Sequence, residues 1–452
     1  MNMLSNFEKD SIREASNEAV ISSLNQLKIH LKNNNWIGKQ NRYRKNCIKK
    51  IEKDIENGTI NDIQLRKYIA ASAFLHSADS WSLLGKALDC HNKSDYNSAR
   101  HLGYYSELRA ALSILASEGI GIFNTQHFVI INPSQCRNFA NTRSRKTHGT
   151  HVSTWLALEY WSNLNRSSEL VSKIIKPGNI PLEEWINYFE LGNNYQVGKK
   201  WFRSWGFDLK QMSKDRDARN VSSYRPSEYT STELLDVDES LAFLKEFWKF
   251  CEPKAYSRFD NVDFHLLRKS LVDTYEIMTG KEYKKNTIDF NSRIDQLLKK
   301  MGMTDPLKQL YYDFLTYSSE KKENIIIEEA SGKLPIYHSR HHIQVISRAL
   351  LLQRVSTGIC SKLLNDVNFD IGNLHFWLEY QGLKNGLWNG NSIFPDLLDL
   401  WKDIEDAITD VETWEKHNEG NNFSLKEIKN NLSNDILTLS ECERINLWGL
   451  GD

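Results

Sequence analysis

The chain has 452 residues, which is long enough for a sizeable hydrophobic core and for two or three domains. Its 58 basic and 58 acidic side chains give a formal net charge of zero, so the overall charge points neither to nucleic acid nor to a membrane. No apolar run approaches the roughly 18 residues of a membrane span, and the first residues do not resemble a signal peptide. The six cysteines are scattered without a Cys-x-x-Cys pair. This predicts a cytoplasmic protein without a disulfide framework or a structural zinc site.

The local charge is uneven although the net charge is zero. Two segments, 19–51 and 119–158, contain Lys and Arg but no acidic residue. From Asp396 to Glu412 acidic residues dominate instead. The sign of the charge in each segment is therefore more informative than the net charge.

Helical periodicity dominates the chain, and only eight prolines interrupt it. In chain order, the pattern predicts helices over residues 5–33, 42–58, 62–89 and 98–118. Ser98 is the predicted N-cap of the last of these, and Gly119 its C-terminal stop. The strand signal in this half is residues 127–134, and residues 119–131 fit a short β-hairpin inserted between two helices.

The second half of the chain is predicted to be a separate helical region. Residues 193–230 look irregular, and helices resume at 235 and continue to the C-terminal third. The predicted fold class is predominantly α-helical, with an N-terminal helical bundle, a small β-hairpin insert and a C-terminal helical domain. The predicted boundaries are 1–192 for the N-terminal domain, 193–235 for a loop-rich connection and 236–452 for the C-terminal region.

One predicted helix, residues 98–118, is rich in small residues. It carries Tyr104 and Arg109, with alanine at positions 110, 111 and 116, and alanine lets a second helix approach closely. The plain interpretation is a central bundle helix whose Arg109 pairs with a carboxylate. In the alternative interpretation, Tyr104 and Arg109 bind a substrate.

A basic cluster precedes the next helix, "STWLALEYWSNL". It consists of Arg143, Arg145, Lys146, His148 and His151. Cations near the positive end of a helix repel one another, so such a cluster is either solvated or useful where a phosphate binds. Arginine forms two parallel hydrogen bonds with phosphate oxygens, and histidine titrates near neutral pH. Together they can cleave RNA without a metal, with histidine as general acid or base and arginine stabilising the pentavalent phosphorus.

The pairing of "GYYSELRAALSILASEGI" with the following "KTHGTHVSTW" resembles the HEPN-type helical bundles. Active members of that family carry Arg-x(4–6)-His, and four residues separate Arg143 from His148, with the polar Ser144 after the arginine. The resemblance covers about residues 98–165. It departs from the family because the motif here precedes a helix instead of lying within a late one. It implies a dimer with the site between protomers, and a role in bacterial antiviral defence or conflict.

Two further patterns are candidates for a catalytic site and a metal site. Six residues separate Arg258 from His265, which also fits the family spacing, but no polar residue follows the arginine. His338, His341 and His342 lie within about one helical turn and offer two metal ligands on one face. No sequence pattern supplies the third ligand, so a polar first turn of a core helix is the alternative.

The basic N-terminal segment, residues 28–53, is a candidate for tracking a phosphate backbone, with Trp36 and Tyr43 for stacking on bases. The alternatives are a solvated helix face, or a surface that docks the acidic C-terminal third of another copy.

Two functions from different classes follow. In the first, the protein is a HEPN-like ribonuclease or RNA-binding effector of a bacterial antiviral system, which cleaves RNA without a metal or other cofactor. Its predicted catalytic residues are Arg143 and His148, and its predicted substrate-binding residues are Arg145, Lys146, His151, Tyr104 and Arg109. In the second, it is a non-catalytic helical subunit of a multi-protein defence assembly that binds protein or nucleic acid. The predicted partners are RNA, a partner defence protein and a second copy of the chain, with no membrane.

Overall fold

The structure is a computed structural model that describes residues 3–139, 148–189, 205, 209–224, 235–317, 323–389, 396–419 and 424–450. Its regular structure is predominantly α-helical, as the sequence predicts. The helices of the first half are α1 (Asn6–Glu14), α2 (Asn17–Asn25), α3 (Lys28–Leu31), α4 (Cys47–Asn57), α5 (Asp62–Asn92), α6 (Tyr96–Ser117), α7 (Thr150–Ser162), α8 (Asn165–Ile174), α9 (Leu182–Tyr188) and α10 (Leu209–Tyr224).

The second half continues the helical series. The described residues of the whole chain also include three short 3-10 turns. The helices of the second half are α11 (Val237–Phe250), α12 (Asp260–Thr279), α13 (Thr287–Lys300), α14 (Leu307–Thr316), α15 (Ile325–Ser331), α16 (His341–Asp366), α17 (Ile371–Lys384), α18 (Leu400–His417), α19 (Leu425–Asn431), α20 (Ser433–Thr438) and α21 (Glu443–Leu450). The 3-10 turns are Pro177–Asn179, Tyr283–Lys285 and Leu397–Asp399. The strands are β1 (Ile120–Phe123), β2 (Gln126–Asn132) and β3 (Gln135–Asn138).

The predicted single helix over residues 5–33 is three helices in the structure. The first break lies at Ala15 and Ser16, where Ser16 caps α2 by accepting a hydrogen bond from the Ala19 N–H at 3.1 Å. The Ser16 N–H donates to the carbonyl oxygen of Ile130 in β2 at 2.9 Å instead of continuing a helix. A tertiary contact and a cap therefore interrupt a pattern that reads as continuous in the sequence.

Helices α5 and α6 form a closely packed hairpin. Asp95 is the N-cap of α6 and accepts from the Ser98 N–H at 3.1 Å, so the predicted cap at Ser98 is three residues too late. The predicted stop is confirmed, because Gly119 follows the last turn with a φ of +80°. Ser80 and Ser106 exchange hydrogen bonds from each hydroxyl to the other's carbonyl, at 2.6 and 2.9 Å. Bonds from so short a side chain to the backbone of the facing helix require the close approach that small residues allow.

Helix α16 packs against both members of this hairpin and is buried on nearly all sides. It meets α6 at Gly103, where a Cβ atom would lie 3.1 Å from Val345. It meets α5 through a hydrogen bond of 2.9 Å from the Trp81 indole N–H to the Thr357 hydroxyl. Helices that the sequence assigns to separate N-terminal and C-terminal regions thus share one hydrophobic core.

The predicted β-hairpin is present, and it belongs to a three-stranded antiparallel sheet. Strand β1 pairs with β2 from Ile120 opposite Val129 to Phe123 opposite Gln126. The chain then turns back through β3, a strand that the sequence did not reveal. This small sheet brings the chain to the segment that precedes α7.

Helix α10 lies where the sequence predicts irregular structure. Its residues are strongly polar, which is the reason for the wrong prediction, but Asp215 and Arg219 are buried against α6 and α16. Within the described parts of the chain, no helix is both long and apolar enough to cross a membrane.

The acidic helix α18 is paired within the same chain. Its Glu412 accepts from Lys249 of α11 at 2.8 Å, Glu415 forms an ion pair with Lys245, and Asp403 contacts Arg444 at 2.6 Å. Part of the acidic surface, Asp403, Glu412 and Glu415, is therefore neutralised by α11 and α21, which weakens the hypothesis that it docks a second copy.

Candidate functional site

The predicted site residues are divided between described and undescribed parts of the chain. Arg143, Arg145 and Lys146 lie outside the described residues. The remaining four, Tyr104, Arg109, His148 and His151, are all described, and they do not lie in one place.

Tyr104 and His151 are brought together between α6 and α7. The Tyr104 hydroxyl oxygen lies 2.9 Å from His151 Nδ1, and the two rings are nearly parallel with centroids 5.8 Å apart. Tyr104 is fully buried, whereas His151 is half-buried at the first turn of α7. Trp155, one turn further along α7, donates its indole N–H to the Tyr104 oxygen at 3.3 Å.

Arg219 of α10 completes this group. Its Nη2 lies 3.3 Å from His151 Nε2, and its guanidinium carbon lies 5.7 Å and 5.4 Å from the ring centroids of Tyr104 and Tyr105. Because an arginine can only donate, His151 Nε2 is the acceptor, and the proton of the neutral imidazole is on Nδ1. His151 therefore donates to the Tyr104 oxygen. We call Tyr104, His151 and Arg219 the Tyr–His–Arg site.

The surroundings keep His151 neutral. Burial, followed by the positive charges of Arg219 and Arg216, lowers the pKa of His151 to about 4 from an ordinary value of 6.5. Burial also raises the pKa of Tyr104, which stays a phenol at neutral pH. His151 therefore presents an unprotonated Nε2 at pH 7, although the two arginines weaken it as a base until an anion offsets their charge. The same arginines can hold a phosphate.

The other two described residues are placed differently. Arg109 lies on another side of α6 and faces α5, where its Nη1 is 3.0 Å from His76 Nδ1 and its Nε is 3.9 Å from Asp79. His148 precedes α7 by two residues, and its carbonyl oxygen accepts from the Ser153 hydroxyl at 2.8 Å. The structure thus does not bring Arg109 to the Tyr–His–Arg site.

His127 of β2 supports the backbone at His148. Its Nδ1 accepts from the Phe123 N–H at 3.1 Å, so its Nε2 carries the proton of the neutral ring. That Nε2 lies 2.9 Å from the His148 carbonyl oxygen and 2.8 Å from the Ser153 hydroxyl. The small sheet therefore fixes the start of α7. This role of His127 was not predicted, because a single histidine in a strand does not indicate which backbone groups it contacts.

A buried cluster of charged residues lies where α6, α10 and α16 meet, next to the Tyr–His–Arg site. Arg348 of α16 binds Asp215 of α10 through Nε at 2.9 Å and Nη2 at 2.7 Å, while its Nε is 3.5 Å from Glu107 of α6. Arg100 donates to His341 Nδ1 at 3.2 Å, and His341 Nε2 faces Asp215 Oδ1 at 3.5 Å. We call Arg100, Glu107, Asp215, His341 and Arg348 the ion cluster.

One carboxyl group of the ion cluster, that of Glu107, is not bound by an arginine with good hydrogen-bond geometry. Burial, and then the charge of Asp215, raises the pKa of Glu107 well above its usual range. Burial also raises the pKa of Asp215, although Arg348 opposes this. Neither Glu107 oxygen has a hydrogen-bond partner of good geometry among the described residues. Glu107 is therefore the carboxyl group that keeps its proton.

The histidines considered as metal ligands have other partners. His341 belongs to the ion cluster, whereas His342 Nε2 lies 2.8 Å from His91 Nδ1, and the His342 ring stacks on Tyr96 at 4.4 Å. His91 also contacts the Ser240 hydroxyl at 2.8 Å. In the described residues no three His, Cys, Asp or Glu side chains are arranged to hold a metal ion.

The remaining sequence hypotheses gain little from the geometry. His265 faces Glu323 at 3.7 Å. Tyr43 is fully buried and donates its hydroxyl to Asp54 at 2.8 Å, and Trp36 packs between Phe74 and the C-terminal helices. Tyr43 is therefore not free to stack on bases, so the prediction is wrong for that ring, whereas Trp36 is half-buried.

Comparisons with protein-family models, curated proteins and solved structures found no match to this chain. The fold and the site define an α-helical protein with a buried ion cluster beside a neutral histidine.

Proposed function

We propose that the protein binds RNA and cleaves its phosphodiester backbone without a metal at the Tyr–His–Arg site. The single observation that carries this proposal is the neutral His151, held between the buried Tyr104 hydroxyl and the Arg219 guanidinium. The resemblance of residues 98–165 to HEPN-type bundles supports it. So does the absence of acidic residues between 119 and 158, which favours an anionic ligand next to α7.

The proposed reaction uses the 2′-hydroxyl of RNA as nucleophile. A phosphate oxygen takes over the hydrogen bond from Arg219, which frees His151 Nε2 to remove the 2′-hydroxyl proton. The 2′-oxygen attacks phosphorus, the bond to the 5′-oxygen breaks, and His148 donates a proton to that leaving oxygen. Arg143 stabilises the negative charge that develops on the phosphorus oxygens. The products are a 2′,3′-cyclic phosphate and a 5′-hydroxyl.

The roles of the two histidines differ from those expected from the sequence. The sequence predicts Arg143 and His148 as catalytic residues and His151 as a substrate-binding residue. We propose that His151 is the general base, because its ring is oriented and is unprotonated at neutral pH. A bound phosphate would offset the positive charge of Arg219 and so strengthen His151 as a base. Tyr104 is a positioning residue, because it holds the His151 tautomer from the side opposite the substrate.

The test is cleavage of end-labelled RNA by purified protein in excess chelator. Wild type is compared with His151→Ala, His148→Ala and Arg143→Ala, and with His417→Ala, an exposed histidine on α18, as the matched control. We expect rate losses of about 10²–10⁴-fold for either histidine variant of the site, and none for the control. An RNA with a single 2′-deoxy substitution at the cleaved position should not be cut there. Cleavage by His151→Ala at the wild-type rate would exclude His151 as the base.

One observation favours the non-catalytic alternative. Both ring nitrogens of His151 have protein partners, and Tyr104 is fully buried, which is also the arrangement of a structural histidine. A binding subunit with this core would cut no RNA, yet Arg143→Ala would still weaken its binding of RNA. Absence of cleavage by wild type, together with RNA binding that depends on Arg143, would support this second function.

A further inference from the structure

A cavity of about 310 Å³ lies on the other side of α16, away from the Tyr–His–Arg site. It is formed by the end of α8, the residues that lead into α12, the middle of α16 and the last helix, α21. Its charged lining residues are cationic except for one carboxylate, Asp263. The cations are Lys173, Lys176, Arg258, Arg354 and Lys362.

The carboxylate in the cavity wall is already neutralised. Asp263 is buried and binds Arg354 through two parallel hydrogen bonds, both of 2.7 Å. It also accepts from the Lys176 N–H at 2.7 Å, while Arg354 donates to the Ile174 carbonyl oxygen at 2.6 Å. These bonds fix the guanidinium plane of a buried arginine in the wall of the cavity. The remaining nitrogen, Nη1, lies against Gly358, where any larger residue would collide with it.

Two lysines at the rim give the cavity its positive charge. Lys362 pairs with Asp366, which does not line the cavity. Within the described residues, Lys173 and Lys176 form no ion pair, and their side chains are exposed at the rim. A concave site with several cations and a buried, oriented guanidinium is suited to a ligand with more than one negative charge.

The size and the remaining lining narrow the class of ligand. A volume near 300 Å³ is at the lower end of small-molecule pockets, and Asn179, Ser257 and Asn365 add neutral hydrogen-bonding groups. The Tyr256 ring is 56% exposed, and its hydroxyl is held by Asp260 at 2.9 Å, so it offers a fixed aromatic face. We propose that this cavity binds a phosphate-bearing small molecule of nucleotide size, with the phosphates at Lys173, Lys176 and Arg354.

The experiment is calorimetric titration of the full-length protein with ATP and, separately, with tripolyphosphate, both without added metal. Wild type is compared with the double variant Lys173→Gln/Lys176→Gln. The matched control is Lys49→Gln/Lys50→Gln, which removes the same charge from the exposed face of α4. All four lysines are exposed, so neither variant should affect folding. We expect the rim variant to bind both probes at least about tenfold more weakly, equivalent to about 1.4 kcal/mol, and the control to bind like wild type.

The two probes separate the possible sources of the phosphate. Tighter binding of ATP than of tripolyphosphate, with a difference that Tyr256→Ala abolishes, would identify a nucleoside phosphate. Equal binding of both would identify the phosphate chain alone as the ligand. Absence of binding by wild type at about 1 mM of either probe, or equal weakening by the control, would overturn the proposal. These results do not depend on RNA cleavage, because the lysine variants leave the Tyr–His–Arg site intact.

Discussion

Helix α16 carries two buried arginines, Arg348 and Arg354, that lie six residues apart and have very different partners. Arg354 meets a single carboxylate, Asp263, with two hydrogen bonds, and it also binds a backbone carbonyl. Arg348 meets two carboxylates, binds Asp215 well, and approaches Glu107 only to 3.5 Å. The first pair is balanced in charge and in hydrogen bonds, and the second is not.

The difference between the two arginines shows where the fold contains buried charged groups without a full set of hydrogen bonds. A fully hydrogen-bonded buried ion pair holds both partners in a fixed geometry, and removing either partner leaves an uncompensated charge. A partly satisfied buried network is costly and is expected where function requires it. The imbalance occurs on α6, three residues from Tyr104, and not at the pair that lines the basic cavity.

The largest effect is expected from breaking the balanced pair. Arg354→Met should lower the free energy of unfolding by about 3–5 kcal/mol, because Asp263 stays buried and Ile174 loses its hydrogen bond. Arg354 also lies over the Phe259 ring at 4.7 Å, a contact that methionine only partly replaces. Urea unfolding followed by circular dichroism measures the change. The double variant Arg354→Met/Asp263→Asn should recover part of the loss, and a double variant no more stable than Arg354→Met would contradict the pairing.

Breaking the unbalanced group should cost less. In Arg348→Met, Asp215 and Glu107 can share a proton, so we expect a loss of about 1–3 kcal/mol in the free energy of unfolding. The same urea experiment compares the two arginine variants directly. A loss at Arg348 as large as that at Arg354 would mean that the two sites do not differ in the way described here.

The unbalanced group also predicts a pH dependence. The pKa of Glu107 is raised in the folded state, so its contribution to stability is complete below its ordinary value of 4.5 and is lost as the pH rises through the folded-state value. Glu107→Gln removes this titration. The variant should therefore gain stability relative to wild type as the pH increases above about 5. Asp215, Arg348, Arg100 and His341 face or adjoin Glu107 and are present in both proteins, so the difference isolates the one carboxyl group.

Thermal unfolding at pH 5, 6, 7 and 8 provides the measurement. Glu169→Gln, an exposed glutamate on α8, is the matched control and should follow wild type at each pH. A stability difference between Glu107→Gln and wild type that is constant across this range would show that folding does not raise the pKa of Glu107.

The fold was predictable from the sequence wherever a local pattern of apolar and turn-forming residues determines the element. The helical class, the hairpin ended by Asn132 and the stop at Gly119 all follow from local patterns. The sequence did not predict helix α10, because charged residues such as Asp215 and Arg219 are typical of an exposed loop, whereas here they are buried. Their partners, Arg348 and His151, lie more than 60 residues away in the sequence.

The candidate site was predictable only in part for the same reason. Tyr104 and His151 were singled out from composition and spacing, and the structure brings them together. The sequence could not show that Arg109 faces α5, because that depends on which side of α6 the second helix packs. It also could not show that Glu107 is buried next to Asp215, a carboxylate from a distant helix.

The smallest effect expected is on the titration of His151. Arg219 lowers the pKa of His151 to about 4 together with burial and, to a lesser degree, Arg216. Arg219→Gln should therefore raise that pKa towards 6.5 without reaching it, because burial remains the larger cause. NMR titration of the His151 ring protons measures this directly and needs no activity. Arg216→Gln is the matched control and should give a smaller upward shift. An unchanged pKa in Arg219→Gln would mean that Arg219 does not face the imidazole. The proposal that a phosphate on Arg219 frees His151 Nε2 to act as the base would then be wrong.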